Sequence, residues 1–381
     1  MLDDTITTSK EIHKRTGKTF YYATRLLPER IRRATYVLYG FFRVADEVVD
    51  QADALPAEEQ HERLEDFRAK ALGDREADDD VLTAFQSLRA QSDIADDDVN
   101  TFIDAMQQDI EKDRYRTYEE LEGYMRGSAV AVGNMMLDVM DPVQKDHARP
   151  HAAALAEAFQ LSNFLRDVGE DITEYDRIYL PQETLEQFGA SEDDIVEKRA
   201  TEGFKAAMRA EMARTERLYR DGVAGIRYLP DDCQFAVLCS AVLYAEHHRQ
   251  IRAIDYDTLS RDANLGRTRK LYLIARTWWH WRQHRDPEAT FYAVSAVPED
   301  APERLAAADL VAYVGASEDV YARLQEHAHG GTRKATALEA FDILDVAHVH
   351  PTETPFDLEW SFANEMTHYG WTTWVNGEVL G

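Results

Sequence analysis

Two stretches of this chain carry aspartates at i and i+4 within apolar helical patterns. They are Asp46-Glu47-Val48-Val49-Asp50 and, about 120 residues later, Asp167-Val168-Gly169-Glu170-Asp171. On an α-helix such positions share a face, so each pair sets two like charges roughly 6 Å apart, at a cost of a few tenths of a kcal/mol unless something neutralises them. A hard divalent cation does so. Mg²⁺, or Mn²⁺, takes one or two protein carboxylates and completes its shell with water and phosphate oxygens. A fold that turns both pairs toward one cavity therefore makes a seat for a metal-bound diphosphate.

Both pairs continue into polar stripes. Gln160, Asn163, Asp167 and Asp171 step by three, four and four, while Leu161, Phe164, Leu165, Val168 and Ile172 fill other positions. That pattern predicts a buried helix with one polar face. Tyr39, Arg43, Asp46 and Asp50 repeat it with steps of four, three and four. Arg166 and Arg177 lie near the second pair, and guanidinium groups donate to diphosphate oxygens in a planar fork. A third stretch runs from Met106 to Asp109 and resumes from Tyr124 to Met136, with Gly127, Ser128, Ala129, Ala131 and Gly133 in it. Small residues there leave volume for a long hydrocarbon beside Met135 and Met136, or they let helices pack closely. Singly these features carry little. One Asp-x-x-x-Asp arises by chance among 71 acidic residues, Tyr39, Tyr124 and Tyr179 suit ordinary half-buried positions, and Arg126 and Arg166 suit surface partners of neighbouring acids. Repetition of the same polar face on two apolar helices is what favours a site.

Together with Lys18-Thr19-Phe20, Leu26-Leu27-Pro28 and Arg177-Ile178-Tyr179-Leu180-Pro181, these motifs make residues 9–291 resemble the squalene/phytoene synthase family of head-to-head prenyltransferases. The likeness is to its phytoene synthase branch, and most closely to members from salt-loving archaea. The resemblance implies an all-α isoprenoid-synthase bundle around a central cavity over residues 1–293; it does not cover 294–381, which are left as a C-terminal extension. It implies Mg²⁺-dependent joining of two geranylgeranyl diphosphates, through prephytoene diphosphate, to phytoene in carotenoid biosynthesis, with no nucleotide. Two other readings stay open: the same fold joining two farnesyl diphosphates to dehydrosqualene or squalene, and a non-catalytic binding or assembly protein, whose kind usually loses the aspartates.

Carried over residue by residue, the resemblance gives Asp46, Asp50, Asp167 and Asp171 to the metal, and Arg43, Arg166 and Arg177 to diphosphate. Tyr39, Tyr124, Asp109, Gln160, Asn163 and Tyr179 line the reaction cavity on this reading, with Phe20 at its mouth, and Tyr39, Tyr124 and Phe20 offer aromatic faces to a carbocation. Two departures stand out. Asp171 to Arg177 spans six residues where many relatives have five, and Gly17 stands where several carry Ser.

Composition narrows the classes. Forty-three Lys plus Arg against 71 Asp plus Glu give a net charge of −28. Nucleic acid needs a basic patch, so such a surface argues against it, and it suits concentrated salt, where screening shortens to roughly 3 Å. Glu76-Ala77-Asp78-Asp79-Asp80 and Asp96-Asp97-Asp98 belong to that surface. Cys233 and Cys239, among Phe235, Val237 and Leu238, read as buried thiols in a reducing cytoplasm. No signal-peptide pattern opens the chain. Apolar runs such as 235–243 fall far short of the roughly 20 residues of a spanning helix, so membrane contact is expected to be peripheral, at the inner face. Oligomeric state is not legible.

Helical patterns run from Lys10 to His284, with breaks expected near 73–80, 141–150 and 181–193. Residues 235–251 read as a further core helix, with Tyr244 a weak cavity candidate and His247-His248 on an exposed or half-buried turn in preference to a metal site. After Pro287 the character changes, and the residues from Pro298 onward are expected to form a small mixed α/β appendage. Trp371-Thr372-Thr373-Trp374-Val375 alternates and Asn376-Gly377 is a type I′ hairpin signal, while His348, His350 and His368 lack metal-ligand spacing.

Overall fold

The computed structural model describes residues 22–49 and 55–285 and, beyond them, 290–298, 311–317, 341–351, 360, 363, 364, 367, 372–375 and 378–380. Phe20 and Asp50 lie outside the described residues. The chain divides into two compact units, Met1–Ile274 and Ala275–Gly381. Strand β1 (Thr290–Pro298) belongs to the second unit.

The first unit is built of helices. Helix α1 (Glu29–Val49) buries Ile31, Thr35, Leu38, Phe41, Ala45 and Val49, a stripe at steps of three and four that defines its core face. Phe41 ties it to α2 (Ala57–Leu72), α3 (Asp80–Ser92) and α4 (Asp96–Glu111). Its ring stacks on Phe85 at 3.8 Å and lies 5.0 Å from Phe67 and 5.6 Å from Phe102. Part of the acidic surface also shapes these helices. Asp79 caps α3 by accepting the Leu82 N–H at 2.8 Å, and Asp96, Asp97 and Asp98 occupy the first turn of α4, where negative charge favours the helix dipole.

Helix α5 (Tyr118–Met125) passes through one π-helical turn, Arg126–Ala131, into α6 (Val132–Met140). This turn is the small-residue stretch, and both of its readings apply. A Cβ on Gly127 would stand 2.2 Å from the Thr101 carbonyl oxygen, so Gly127 serves close packing on α4. Ser128, Ala129, Gly133 and Met136 line a cavity, whereas Met135 is fully buried in the core.

Helix α7 (Lys145–Glu174) is 30 residues long and contains Pro150. The break expected at 141–150 therefore ends at 144. Pro150 sits in the second turn, where its missing N–H forfeits one bond to the first turn. The break expected at 181–193 holds two short helices, α8 (Gln182–Gln187) and α9 (Glu192–Val196), the latter opened by a Ser191/Asp194 capping box. Then come α10 (Glu202–Ala224), a 3₁₀ turn (Gly225–Tyr228), α11 (Asp231–Ala253) and α12 (Arg267–Arg285), whose residues after Ile274 are counted with the second unit. Leu165 and Val168 of α7 join Phe204, Met208 and Met212 of α10 in a second core. Cys233 and Cys239 are both buried.

In the second unit β1 pairs antiparallel with β2 (Val311–Ser317) and β3 (Phe341–Pro351). Strand β4 (Thr372–Val375) runs parallel to β2 and antiparallel to β5 (Glu378–Leu380), giving the order β3-β1-β2-β4-β5. Val375 pairs with Glu378, so β4 and β5 flank the Asn376-Gly377 hairpin signal.

Candidate active site

A cavity of about 1080 Å³ lies within the first unit, walled by α1, α4, the π-helical turn, α6, α7 and α11. One stripe of α7 runs its length. Ala148, Ala152, Leu155, Ala156 and Phe159 form an apolar stretch interrupted by His151, followed by Gln160, Asn163, Arg166, Asp167, Glu170 and Asp171 at the polar end. Tyr39, Arg43 and Asp46 of α1 line the same cavity, as do Asp109, Tyr124, Arg177 and Tyr179. Every site residue expected from the sequence other than Phe20 and Asp50 is thus on its wall.

The polar end concentrates negative charge. Burial, then Asp167 and Glu170, push the Asp171 carboxyl up to about 8, and burial followed by Asp167 raises Glu170. Burial opposes the charge of Arg166, but its pair with Asp167 outweighs that and raises its pKa. On α1, Arg43 lies 3.7 Å from Asp46 and 3.6 Å from Glu47. Gly169, between the two aspartates of the second motif, is required by packing: a Cβ there would stand 2.4 Å from the Leu259 carbonyl oxygen and 2.7 Å from that of Thr258.

Arg177 and Tyr179 are delivered by a strap after α7. Ile178 N–H donates to the Asp113 carbonyl at 2.9 Å and Gln182 N–H to that of Tyr115 at 2.9 Å, while Arg114 holds Asp176 at 2.9 Å and Glu192 at 2.7 Å. So pinned, Arg177 donates to the Asp109 carbonyl at 2.7 Å, and the Tyr124 hydroxyl donates to the Asp109 carboxylate at 2.8 Å. The strap accommodates the six-residue spacing after Asp171 and still brings both residues to the wall. Tyr179 stacks on Phe164 at 3.8 Å, and Tyr115 and Tyr124 lie 5.8 Å and 5.9 Å from it. Burial, then Asp109, raise the pKa of all three tyrosines, which keeps them protonated.

The donor set fits a hard divalent cation. Asp46, Asp167, Glu170 and Asp171 face one cavity, and the Asp171 carboxyl is raised first by burial and then by the neighbouring Asp167 and Glu170, whose charges a cation would offset. Among the described residues no three acidic, His or Cys side chains close into a ready cage. Mg²⁺ needs none, since it binds through one or two carboxylates and keeps water and phosphate oxygens.

Glu170, Tyr175, Asn264 and Lys270 are also on the cavity wall, and sequence reasoning misses all four. Glu170 stands inside the second aspartate motif, which is signal enough, but nothing periodic links Asn264 and Lys270 to α7. His247 and His248 are a correction: both are buried, because each has polar partners there. His247 Nδ1 donates to the Ala263 carbonyl at 3.0 Å, with Nε2 3.5 Å from Arg166 Nη1. His248 bridges Ser162 at 3.1 Å and Glu216 at 3.2 Å. Arg166 is likewise no surface residue, whereas Arg126 is exposed, 3.9 Å from Glu122.

The chain is similar to known proteins in sequence and in fold. A profile of the squalene/phytoene synthase family matches residues 13–269. Over 278 residues the chain is 33% identical to phytoene synthase 3, chloroplastic, of Zea mays, which covers 70% of this chain and 64% of that protein. Over 273 residues it is 33% identical to the 15-cis-phytoene synthase of Synechococcus elongatus, covering 69% and 88%. A solved dehydrosqualene synthase superposes with a TM-score of 0.67 at 26% identity, over 74% of this chain and 98% of that one. The helical unit has the isoprenoid-synthase fold. The chain belongs to the squalene/phytoene synthase family.

Proposed function

We propose that this chain joins two geranylgeranyl diphosphates head to head, through prephytoene diphosphate, to phytoene. The observation that carries the reading is one cavity with carboxylate-bearing faces of two helices at one end and an apolar stripe at the other. At about 1080 Å³ it exceeds the ~300–1,000 Å³ of a pocket for one small ligand. The likeness to phytoene synthases supports the C20 substrate, and that to a dehydrosqualene synthase keeps a C15 substrate as the rival.

In this reading Asp46, Asp50, Asp167 and Asp171 hold Mg²⁺, which supplies charge neutralisation to a departing diphosphate. Arg43, Arg166 and Arg177 donate to its oxygens as the donor's C1–O bond breaks and the electron pair leaves with oxygen. The acceptor's double bond then closes a cyclopropane with loss of a proton. A second C–O cleavage opens that ring to the 1-1′ linkage, and loss of another proton gives phytoene. Aromatic faces of Phe164, Tyr179 and Tyr124 stabilise the passing cations, and the apolar wall keeps water from trapping them. The tyrosines hold their protons, so the released diphosphate is the base this reading assigns. None of the described helices is long and apolar enough to cross a membrane. Contact with the bilayer, where substrate and product partition, is peripheral in this reading, and vesicle flotation tests it.

The deciding experiment incubates the protein in high salt with Mg²⁺ and either geranylgeranyl or farnesyl diphosphate, with and without NADPH. A C40 triene formed without NADPH is the expected product. A C30 product alone moves the reaction to the dehydrosqualene or squalene branch, and no product from either supports a binding protein.

A further inference from the structure

The cavity follows α7 from Asp171 at its acidic end to Ala148 at the other. A helix rises about 1.5 Å per residue, so the lining residues are marks on a scale: from Asp167, Ala152 is roughly 22 Å away, His151 roughly 24 Å and Ala148 roughly 28 Å. His151 is held in place from three sides. Its Nδ1 donates to the Asp221 carbonyl at 2.6 Å, and its ring faces that of Tyr228 with centroids 5.7 Å apart. The third contact is with Gly225, where a Cβ would stand 2.1 Å from the Cβ of His151. The buried residues Met140, Ala148 and Ile226 also line the cavity.

An extended carbon chain advances about 1.25 Å per bond, given C–C bonds near 1.5 Å. The sixteen-carbon main chain of a geranylgeranyl group thus spans roughly 19 Å, and a diphosphate reaching a metal-bound carboxylate adds roughly 5 Å. The sum ends at His151. A farnesyl chain stops about 5 Å short of it, and a C25 chain overruns it by about as much.

We propose that His151, lodged against Gly225, is the stop that sets the chain length this cavity accepts, selecting a C20 prenyl diphosphate over C15 and C25. The proposal rests on the prenyl diphosphate reading above and adds the residue that measures the chain. Removing the imidazole moves the stop back to Ala148, and a bulky residue at Ala152 moves it forward.

The test is equilibrium binding, with Mg²⁺, of nonreactive S-thiolodiphosphates bearing C15, C20 and C25 chains. The proteins are wild type, His151→Ala and Ala152→Phe, each checked for wild-type helical content, and product analysis with the reactive diphosphates runs alongside. Wild type is expected to bind C20 most tightly. His151→Ala should gain C25 affinity by roughly tenfold or more, and Ala152→Phe should lose C20 affinity by a similar factor while keeping C15. The two changes act in opposite directions on size, so one that fails to fold leaves the other to decide. A C20 maximum that stays put in a folded variant overturns the stop. Preferences that shift as expected in a protein forming no hydrocarbon support the stop and remove the reaction; a wild type that binds none of the three removes both.

Discussion

Arg166 grips the neighbouring Asp167 through two nitrogens, Nε to Oδ1 at 2.7 Å and Nη2 to Oδ2 at 2.5 Å. Consecutive helical side chains diverge by about 100° around the axis, so this fork bends both arms toward one point of the cavity. The second carboxylate claw is thereby aimed by its own neighbour, with His247 3.5 Å behind the guanidinium.

Arg166→Lys keeps the charge and loses the fork, because an ammonium is a point donor. We expect turnover to fall by roughly ten- to a hundredfold with helical content unchanged. Steady-state kinetics with the prenyl diphosphate decides; a lysine variant as active as wild type would remove the fork from the mechanism.

Asp171→Asn removes a carboxylate that burial and its acidic neighbours already disfavour. Turnover should be abolished, while thermal stability in chelator stays unchanged or rises slightly. Saturating Mg²⁺ should raise the melting temperature of wild type, since a ligand bound to the native state stabilises it, and should do so less in the variant. Equal shifts in both proteins contradict the metal assignment.

His247 is buried and uncharged. Burial, with the nearby Arg166, lowers its pKa from 6.5 to about 4. Between those values the unfolded chain binds more protons than the native one, so this contribution is complete above pH 6.5 and is lost as pH falls toward 4, by roughly 3 kcal/mol in all. Denaturant melts at stepped pH should show that slope in wild type and a flatter one in His247→Gln.

Gly169→Ala should cost roughly 2–4 kcal/mol, because the added methyl meets two backbone carbonyls that cannot swing aside. The displacement falls between Asp167 and Asp171, so activity should drop even below the melting temperature. A variant of wild-type stability would show that the loop at 258–259 yields.

Phe41→Ala empties the centre of the four-helix aromatic cluster, and unfolding by urea should report a loss of roughly 3–5 kcal/mol. A loss under 1 kcal/mol would mean that Phe85 and Phe67 close the gap.

Residues whose role follows from local spacing are legible in the sequence alone. Tyr39, Arg43 and Asp46 share one face of α1, and Gln160, Asn163, Asp167 and Asp171 share one face of α7, because a helix converts a period of three and four into a direction in space. The alternation from Trp371 to Val375 yields β4 for the analogous reason in a strand. Pro150 misleads, since a proline punctuates a pattern wherever it stands, yet near the start of a helix it costs one bond. His247 and His248 mislead because a polar residue on an apolar helix looks exposed until its partners at Ala263, Ser162 and Glu216 are found, all distant in the chain.

By itself, then, the sequence determined that Asp46 on α1 and Asp167 with Asp171 on α7 sit on polar faces and that the opposite faces of both helices must be buried. Both are properties of side chains within a few residues of one another. Only the tertiary structure decided that the faces meet across one cavity, that the strap from Asp176 to Gln182 carries Arg177 and Tyr179 into it, and that His151 is lodged against Gly225 at its far end. Those relationships join residues tens to hundreds of positions apart. They exist only once the packing of Phe41, Leu165 and Phe204 has set how the helices lie against each other, and no local period records that.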